Sequence, residues 1–299
     1  MKVFVTGVGG YIGGSIALRL IEAGHEVRGL VRKADAADTL RGLGITPVMG
    51  SLDDAGILQA EARNADAVVN AASSDHRAAV EAIIAGLAGS QKPFLHTSGS
   101  SIVGDASGGE ASDRIFEDDT PIQPTADKAA RVAIDRLIVA SAAQGIRSAV
   151  LCNTLIYGHG LGLAKNSVQL PRLVRQARKS GTPRHVGRGL NIWSNVHISD
   201  VADLYLLALE KVPGGSFMFV ENGEANFRDM TNAIGTALGL GPAQPWSIEE
   251  ASAEWGYEMS TYALGSNSRV RGKRARNLGW APRHGSVLDW IEKEVAATP

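Results

Sequence analysis

Apolar and polar residues alternate with two different periods along the first two thirds of the chain. Short apolar runs predict buried strands, and between them apolar positions recur every three or four residues, as on one face of a helix. This alternation predicts an α/β fold, a doubly wound parallel sheet (Rossmann fold) with helices on both faces. The predicted strands are residues 2–6, 26–31, 46–49, 67–70, 94–97 and 148–152, with a short one around 196–198, and the predicted helices are 14–23, 55–62, 78–88, 126–143 and 201–209.

Three evenly spaced glycines lie where the first predicted strand turns into the first helix. Gly7 permits a tight turn, Gly10 lets the backbone approach a pyrophosphate, and Gly13 lets the helix lie close to the sheet. The register G-x-x-G-x-x-G fits completely, whereas G-x-G-x-x-G places Ile12 where a third glycine is required. The chain has 35 glycines, so chance triplets occur, but the strand before and the helix after this one predict a dinucleotide site.

The hydrophobic pattern changes near residue 160. Residues 161–188 are basic and helix-like, and residues 213–299 mix turns with short amphipathic segments. We therefore predict a dinucleotide-binding Rossmann domain of residues 1–160 plus 192–212, and a smaller C-terminal substrate-binding lobe of residues 161–191 plus 213–299. The polar segment 104–119 is long enough to form a flap over the site.

Composition and charge point to a small-molecule ligand. Apolar residues make up 44% of the 299 positions, and the net charge is −1, so nucleic acid and anionic membranes are not expected partners. The single cysteine, Cys152, rules out an internal disulfide and fits a reducing compartment. No apolar run approaches the length of a membrane span, and no signal peptide precedes the first strand, so we expect a cytoplasmic protein.

The end of the second predicted strand bears on the choice of cofactor. In this fold the residue at that place meets the adenosine ribose, and an acid there binds both ribose hydroxyls of NAD. Here Arg32 occupies the place and Lys33 follows it. An arginine pairs with a 2′-phosphate and stacks on adenine, so NADP is favoured and NAD stays possible. The alternative is a solvated basic pair, with Asp35 serving the ribose.

Further motifs follow the predicted strands over nearly the whole chain. They are VTGVGGYIG at residues 5–13, NAA at 70–72, HTSGS at 96–100, IYG at 156–158, VHISDV at 196–201 and LGWAP at 278–282. Together they resemble the extended branch of the short-chain dehydrogenase/reductase superfamily, which contains NAD-dependent epimerases and dehydratases and dihydroflavonol-type reductases. The resemblance implies an NAD(P)-dependent enzyme.

The resemblance also implies roles for individual residues along the cofactor. Tyr11 and Ile12 would flank the pyrophosphate, and Leu52 would lie near the adenine. The segment Ala71, Ala72 and Ser73 would line the path of the cofactor, and Thr97 and Ser98 would lie near the nicotinamide, with Lys128 and Tyr157 also beside the cofactor.

The catalytic signature of the resembled family, a tyrosine four residues before a lysine, is missing. In such a reductase the tyrosine protonates the oxygen, and the lysine lowers its pKa. Alignment of the helix places Asp127 at the tyrosine position and Arg131 at the lysine position, and Gly99 stands where the active serine usually falls. The site therefore departs from the family pattern at three positions.

Four residues are candidate catalytic groups in place of that signature. Ser98 and Ser100 are the hydroxyls beside Gly99, Lys128 follows Asp127, and Tyr157 is the leading substitute as proton donor. Each has an alternative: Tyr157 as a packing tyrosine, Asp127 or a water held by the two serines as the donor, and the charged helix as a solvated surface. No histidine or cysteine spacing indicates a metal site.

The C-terminal lobe leaves the substrate open. Arg269 and Arg271 are suited to a nucleotide-sugar diphosphate, although they also fit surface ion pairs. An aryl or alicyclic carbonyl is equally compatible with the aromatic residues of the lobe. We therefore expect an oxidoreductase acting on a small carbonyl or alcohol by hydride transfer. The alternatives are an epimerase or dehydratase of nucleotide sugars and a non-catalytic NADP sensor or scaffold. A homodimer through helices 78–88 and 126–143 would fit the family.

Overall fold

A computed structural model of the protein describes residues 1–297. Its strands are β1 (Lys2–Thr6), β2 (Glu26–Val31), β3 (Ile45–Met49), β4 (Ala67–Asn70), β5 (Pro93–Gly99), β6 (Phe116–Glu117), β7 (Arg147–Asn153), β8 (Leu155–Tyr157), β9 (Arg184–Val186), β10 (Ile192–His197), β11 (Ser216–Val220), β12 (Glu224–Asn226), β13 (Gln244–Trp246) and β14 (Val270–Arg271). Its α-helices are α1 (Tyr11–Glu22), α2 (Ala34–Gly42), α3 (Ala55–Asn64), α4 (Arg77–Leu87), α5 (Ala129–Ala140), α6 (Leu170–Ser180), α7 (Ile198–Lys211), α8 (Phe227–Ala237), α9 (Ile248–Trp255), α10 (Tyr257–Met259), α11 (Lys273–Asn277) and α12 (Val287–Trp290).

The main sheet is parallel throughout. Within residues 1–297 it has seven strands in the order β11-β7-β5-β4-β1-β2-β3. The chain runs outward from β1 to β3 on one side and returns to β4 on the other, so the topological switch point lies between β1 and β4. Ligands of doubly wound sheets bind beyond the carboxyl ends of the strands at this point. The predicted Rossmann fold is confirmed.

The strands and helices form because apolar side chains can be buried on both faces of the sheet. Val3 and Val5 point into one core with Ile16 and Leu20 of α1, and Phe4 points into the core on the opposite face. Alternate residues of a strand project to opposite faces, which explains the continuous apolar run of β1. Burial of each large side chain stabilises the fold by about 1.5–3 kcal/mol.

The predicted domain boundaries need two corrections. Strand β11 lies in the predicted lobe (213–299) but pairs with β7 at the edge of the main sheet, because its apolar run Phe217 to Val220 is buried there. Strand β10, predicted to join the Rossmann domain, forms a second sheet with β8 and β12. Helix α7 packs its apolar face into the core around α1. The helix α2 was not predicted.

A smaller lobe shares a hydrophobic core with the second sheet. Its core includes Tyr157, Leu173, Trp193, Phe227 and Ile291, which come from α6, α8 and the C-terminal helical turn as well as from that sheet.

Among the described residues, no helix has both the length and the apolar composition that a bilayer crossing needs.

Candidate functional site

The glycine motif forms a close-packed turn between β1 and α1. Gly7 has φ of +74°, and a Cβ there would lie 2.5 Å from the carbonyl oxygen of Ala71 at the end of β4. A Cβ at Gly13 would lie 2.3 Å from the carbonyl oxygen of Gly7, whereas one at Gly9 would meet nothing within 4 Å. Gly7 and Gly13 are therefore needed for packing, and the open side of the turn faces the cavity described next.

A cavity of about 640 Å³ begins at this turn and extends over the ends of β2 and β3. The N-terminus of α1 opens onto it, so backbone N–H groups and the positive end of the helix dipole are available to an anion. The cavity is large enough for a nucleotide. The residues lining it are Gly7, Gly9, Gly10, Leu30, Val31, Arg32, Lys33, Ala36, Leu40, Ser51, Leu52, Asp53, Ala71, Ala72 and His76.

The predicted cofactor residues divide between this cavity and its borders. Arg32 and Lys33 line it, while the cavity's lining within residues 1–297 does not include Asp35. Leu52 also lines it. Tyr11 is turned away, because its hydroxyl donates to the carbonyl oxygen of Gly158 at 2.9 Å, which ties α1 to the end of β8. Ile12 packs against the core around α1.

A chain of polar side chains crosses the ends of β1, β4 and β5. The hydroxyl of Thr6 donates to Asn70 Oδ1 at 2.5 Å and accepts from the backbone of Ala71 and Ala72. Asn70 Nδ2 then lies 3.0 Å from Nδ1 of the buried His96. Burial lowers the pKa of His96 to about 3, so its ring is neutral at physiological pH. The turn after β4 is thereby held in place beside the glycine turn.

Ser98, at the end of β5, is bonded to a buried carboxyl group. Its hydroxyl donates to Asp135 Oδ2 on α5 at 2.7 Å, and both residues are 3% exposed. Burial raises the pKa of Asp135 from 3.8 to about 7, against the lowering effect of the Ser98 hydrogen bond and of Arg131. Cys152 faces Ser98 on the neighbouring strand, and burial raises the pKa of its thiol.

Arg131 connects the end of β5 with the turn after β4. Its Nε and Nη2 atoms donate to the two carboxylate oxygens of Asp75 at 2.8 and 2.5 Å, and its Nη1 donates to Ser101 Oγ at 3.2 Å. Hydrogen bonding to Arg131 lowers the pKa of Asp75. A Cβ at Gly99 would be 3.7 Å from Nη1, so the guanidinium group lies beside the position of the missing serine.

The other predicted catalytic residues are engaged elsewhere. Ser100 is 1% exposed, and its hydroxyl is 2.8 Å from that of Ser268 in the lobe. Lys128 forms a 2.7 Å ion pair with its neighbour Asp127. Tyr157 is 1% exposed, and its hydroxyl donates to the carbonyl oxygen of His284 at 3.0 Å. These contacts favour the packing alternative for Tyr157.

Thr97 and Ser73 complete the predicted set. The hydroxyl of Thr97 lies 2.7 Å from that of the buried Tyr205, which burial keeps protonated by raising its pKa. Ser73 Oγ accepts from the backbone N–H of Asp75 at 3.2 Å. Ser73 therefore shapes the turn that presents Asp75 to Arg131.

The segment predicted as a flap is fastened to the lobe. Asn267 donates through its backbone and its side chain to the carboxylate of Asp105, at 2.8 and 3.0 Å. Gly109 donates to the carbonyl oxygen of Gly265 at 2.9 Å, and a Cβ at Gly109 would lie 2.1 Å from the carbonyl oxygen of Val186. This dense packing makes the segment a wall of the lobe.

The two lobe arginines are paired with one acid. Arg269 donates to Glu224 at 2.8 and 3.2 Å, and Arg271 donates to the same carboxylate at 3.0 Å. These hydrogen bonds lower the pKa of Glu224 against the opposing effect of its burial. The surface ion-pair alternative is therefore the one that these contacts favour.

Two residues at the site were not predicted as functional. Asp135 lies on the charged helix for which a solvated surface was the alternative, yet it stands between Ile134 and Ile138 in the apolar stripe of α5, and that position was a usable signal. Asp75 gave no such signal, because only the fold brings it to Arg131.

Several known proteins are similar to this chain in sequence or in fold. A profile of the NAD dependent epimerase/dehydratase family matches residues 3–218. An Acremonium protein named oxidase ucsJ is 34% identical over 94% of this chain and 92% of its own. A 4-hydroxy-2-methyl-3-oxo-4-farnesyl-3,4-dihydroquinoline-1-oxide ketoreductase from Stigmatella aurantiaca is 28% identical over 98% of this chain and 96% of its own. The solved structure of Bacillus anthracis dTDP-glucose 4,6-dehydratase with NAD has a TM-score of 0.78 at 15% identity, covering 99% of this chain and 95% of that chain.

Proposed function

The chain belongs to the NAD-dependent epimerase/dehydratase family and is an NAD(P)-dependent enzyme, and from that premise we propose that it reduces a small aryl or alicyclic carbonyl compound with NADPH. The observation that carries the proposal is the placement of two features at the carboxyl ends of β1 and β5, on either side of β4. One is the cavity that starts at the glycine turn, and the other is the hydrogen-bonded pair of Ser98 and Asp135.

The residues of the cavity fit a dinucleotide with an additional phosphate. The turn around Gly7 and the N-terminus of α1 would hold the pyrophosphate, as a Cβ in this turn would collide with backbone. Arg32 and Lys33 would hold the 2′-phosphate, because both line the adenosine end and carry positive charge. The second half of the cofactor would then lie over the ends of β4 and β5, where Arg131 and Asp75 face it.

A reduced nicotinamide supplies a hydride to a carbonyl carbon when it is bound. The chain has to orient the carbonyl and supply a proton to its oxygen. We assign that task to Ser98, because its hydroxyl is bonded to a carboxyl group that can supply a proton, whereas Ser100 is bonded to Ser268 and Tyr157 to a backbone carbonyl. On this proposal, Ser98 would supply the proton in place of the usual tyrosine.

Two observations support a carbonyl compound over a nucleotide sugar. Arg269 and Arg271 already share the carboxylate of Glu224, so a diphosphate would have to displace an ion pair. Tyr257 and Tyr262 of the lobe contact each other edge to face, with 6.1 Å between their ring centroids. This aromatic pair suits a ring-bearing substrate.

We further propose that the enzyme acts in the cytoplasm.

Rapid mixing tests the proposal. Protein saturated with NADPH is mixed with a panel of aryl, alicyclic and aliphatic ketones and aldehydes, and the absorbance of the reduced nicotinamide is followed. We expect a single-exponential loss of absorbance with at least one ring-bearing ketone. NADPH binding without oxidation by any carbonyl would overturn the reductase proposal and favour a sensor of the NADPH/NADP ratio, which the missing tyrosine and lysine would then explain.

A further inference from the structure

A buried polar cluster lies directly beneath the end of β5. It consists of Ser98, His96 and Asp135, with Cys152 on the adjacent strand, and each of these residues is at most 3% exposed. Among residues 1–297, His96 Nε2 and Asp135 Oδ1 are buried atoms without a hydrogen-bond partner, and they lie 3.9 Å apart. Buried polar groups normally find partners, so this arrangement calls for a functional explanation.

The hydrogen bonds around His96 determine where its proton resides. Asn70 Oδ1 accepts from Thr6, so Asn70 Nδ2 is the donor to His96 Nδ1. The ring proton is therefore on Nε2 and points toward Asp135. Because burial holds the pKa of His96 near 3, the ring brings no positive charge to the carboxyl group.

The remaining groups that face Asp135 do not keep it ionised. Arg131, on the same helix, favours the ionised form, but its guanidinium group is committed to Asp75. Asp75 acts in the opposite direction, and Cys152 on β7 is a thiol whose pKa is raised by burial. Burial is the largest effect, and it raises the pKa of Asp135 to about 7.

We propose that Asp135 is the proton store of the active site and supplies the substrate through the hydroxyl of Ser98. The proposal rests on the reductase function proposed above. Ser98 is the group that contacts the substrate, and Asp135 acts through it. The 2.7 Å separation of Ser98 Oγ and Asp135 Oδ2 is a direct hydrogen bond, so no intervening water is required.

The step conserves atoms and electrons. The carbonyl carbon receives a hydride, and the π electrons of the C=O bond move to the oxygen. The Ser98 hydroxyl, which donates to Asp135 Oδ2 in the structure, first turns toward the substrate, and Oδ2 of the protonated Asp135 then donates to Ser98 Oγ. The substrate oxygen takes the proton of the Ser98 hydroxyl, while Ser98 Oγ takes the acid proton of Asp135. The carbonyl is reduced to an alcohol, the nicotinamide that gave the hydride is oxidised, and Asp135 becomes a carboxylate. It regains its proton from water, through Ser98, when the product leaves.

The kinetic test measures single-turnover oxidation of bound NADPH by the best ketone at several pH values. Asp135→Asn keeps the shape of the side chain but carries no transferable acid proton. We expect a rate loss of about 100-fold or more near neutral pH, the usual size of acid catalysis. The wild-type rate should fall above about pH 7, whereas the rate of the variant should be independent of pH.

Two further variants serve as controls for Asp135→Asn. Asp66→Asn alters an exposed carboxylate just before β4, at the amino-terminal ends of the strands and away from the site, and should keep the wild-type rate and profile. Asp135→Glu restores an acid at the same place, and its rate should regain a pH-dependent form. If Asp135→Asn does not fold, Ser98→Ala removes the relay and leaves Asp135 in place, with the same expected loss of rate.

A spectroscopic readout is independent of turnover. Infrared difference spectra of wild-type protein against Asp135→Asn, or of wild-type protein at about pH 6 against about pH 9 if the variant does not fold, should contain the C=O stretch of a protonated buried carboxyl that is present at about pH 6 and fades toward about pH 9. Absence of this band would overturn the proposal. An identical rate and pH profile in wild type and Asp135→Asn would also overturn it and leave the reductase function intact. Absence of any oxidation in wild type would overturn both.

Discussion

Replacing Asp135 with asparagine should change how the stability of the fold depends on pH. A rise in pKa from 3.8 to about 7 corresponds to about 4 kcal/mol between the two protonation states, at about 1.4 kcal/mol per pKa unit. The side chain is 4% exposed, so solvent screening does not reduce this figure much.

The raised pKa of Asp135 decides the direction in which the stability of the fold changes with pH. The folded-state pKa lies above that of the unfolded chain, so the carboxyl group stabilises the fold fully below about pH 4, and this contribution is lost as the pH rises through about 7. Between about pH 5.5 and 8.5 the wild type should lose about 2 kcal/mol that Asp135→Asn does not lose.

Urea unfolding of both proteins at each pH measures this difference, because contributions common to both cancel. His96 remains neutral throughout the window and adds no difference of its own. Asp127→Asn is the control: the pKa of Asp127 is lowered in the fold, so both of its pKa values lie below the window and its difference should stay constant. Parallel stability profiles for wild type and Asp135→Asn would refute the reasoning, since Asp135 would then be ionised throughout.

Three further predictions concern the cofactor site. Arg32→Ala should weaken NADPH binding about tenfold while NADH binding changes less than about twofold, because only NADPH has the 2′-phosphate; fluorescence titration measures both, and equal losses would contradict the NADP assignment. Arg131→Met should weaken NADPH about tenfold but leave 2′,5′-ADP unaffected, because the arginine lies away from the adenosine cavity; calorimetric titration tells the two apart, and a tighter NADPH complex would mean that the arginine obstructs the site. Gly13→Ala should destabilise the fold by about 1–3 kcal/mol, because its Cβ would press on Gly7, whereas Gly9→Ala should cost less than about 0.5 kcal/mol; equal urea midpoints would count against the close-packed turn.

The features that we propose to hold the cofactor are set by local patterns in the sequence. The glycine turn involves only residues 7–13 and the strand and helix beside them, so spacing alone predicts it. Arg32 is likewise defined by its place at the end of one strand. The bounds of β1, β2 and β4 were predicted to the residue, because buried parallel strands are short apolar runs between turns.

The polar contacts around Ser98 and Arg131 join segments that are distant in the sequence. Asp75 and Arg131 meet across 56 positions of sequence, and Ser98 and Asp135 across 37. Periodicity cannot reveal such pairs, and a charged residue on a helix usually faces water. Tyr157 illustrates the opposite case: its sequence context placed it beside the cofactor, whereas the ring packs in the lobe among His197 and Trp290.

Transfer of deuterium from the cofactor tests the proposed reaction most directly. The protein is given its ketone with NADPH that carries deuterium at nicotinamide C4, in each of the two stereoisomers in turn, and the product is examined by mass spectrometry. Carbonyl reduction predicts one deuterium on the new alcohol carbon from one of the two stereoisomers and none from the other. Product without deuterium from either stereoisomer, or NADPH that stays fully reduced while substrate is converted, would contradict net hydride transfer.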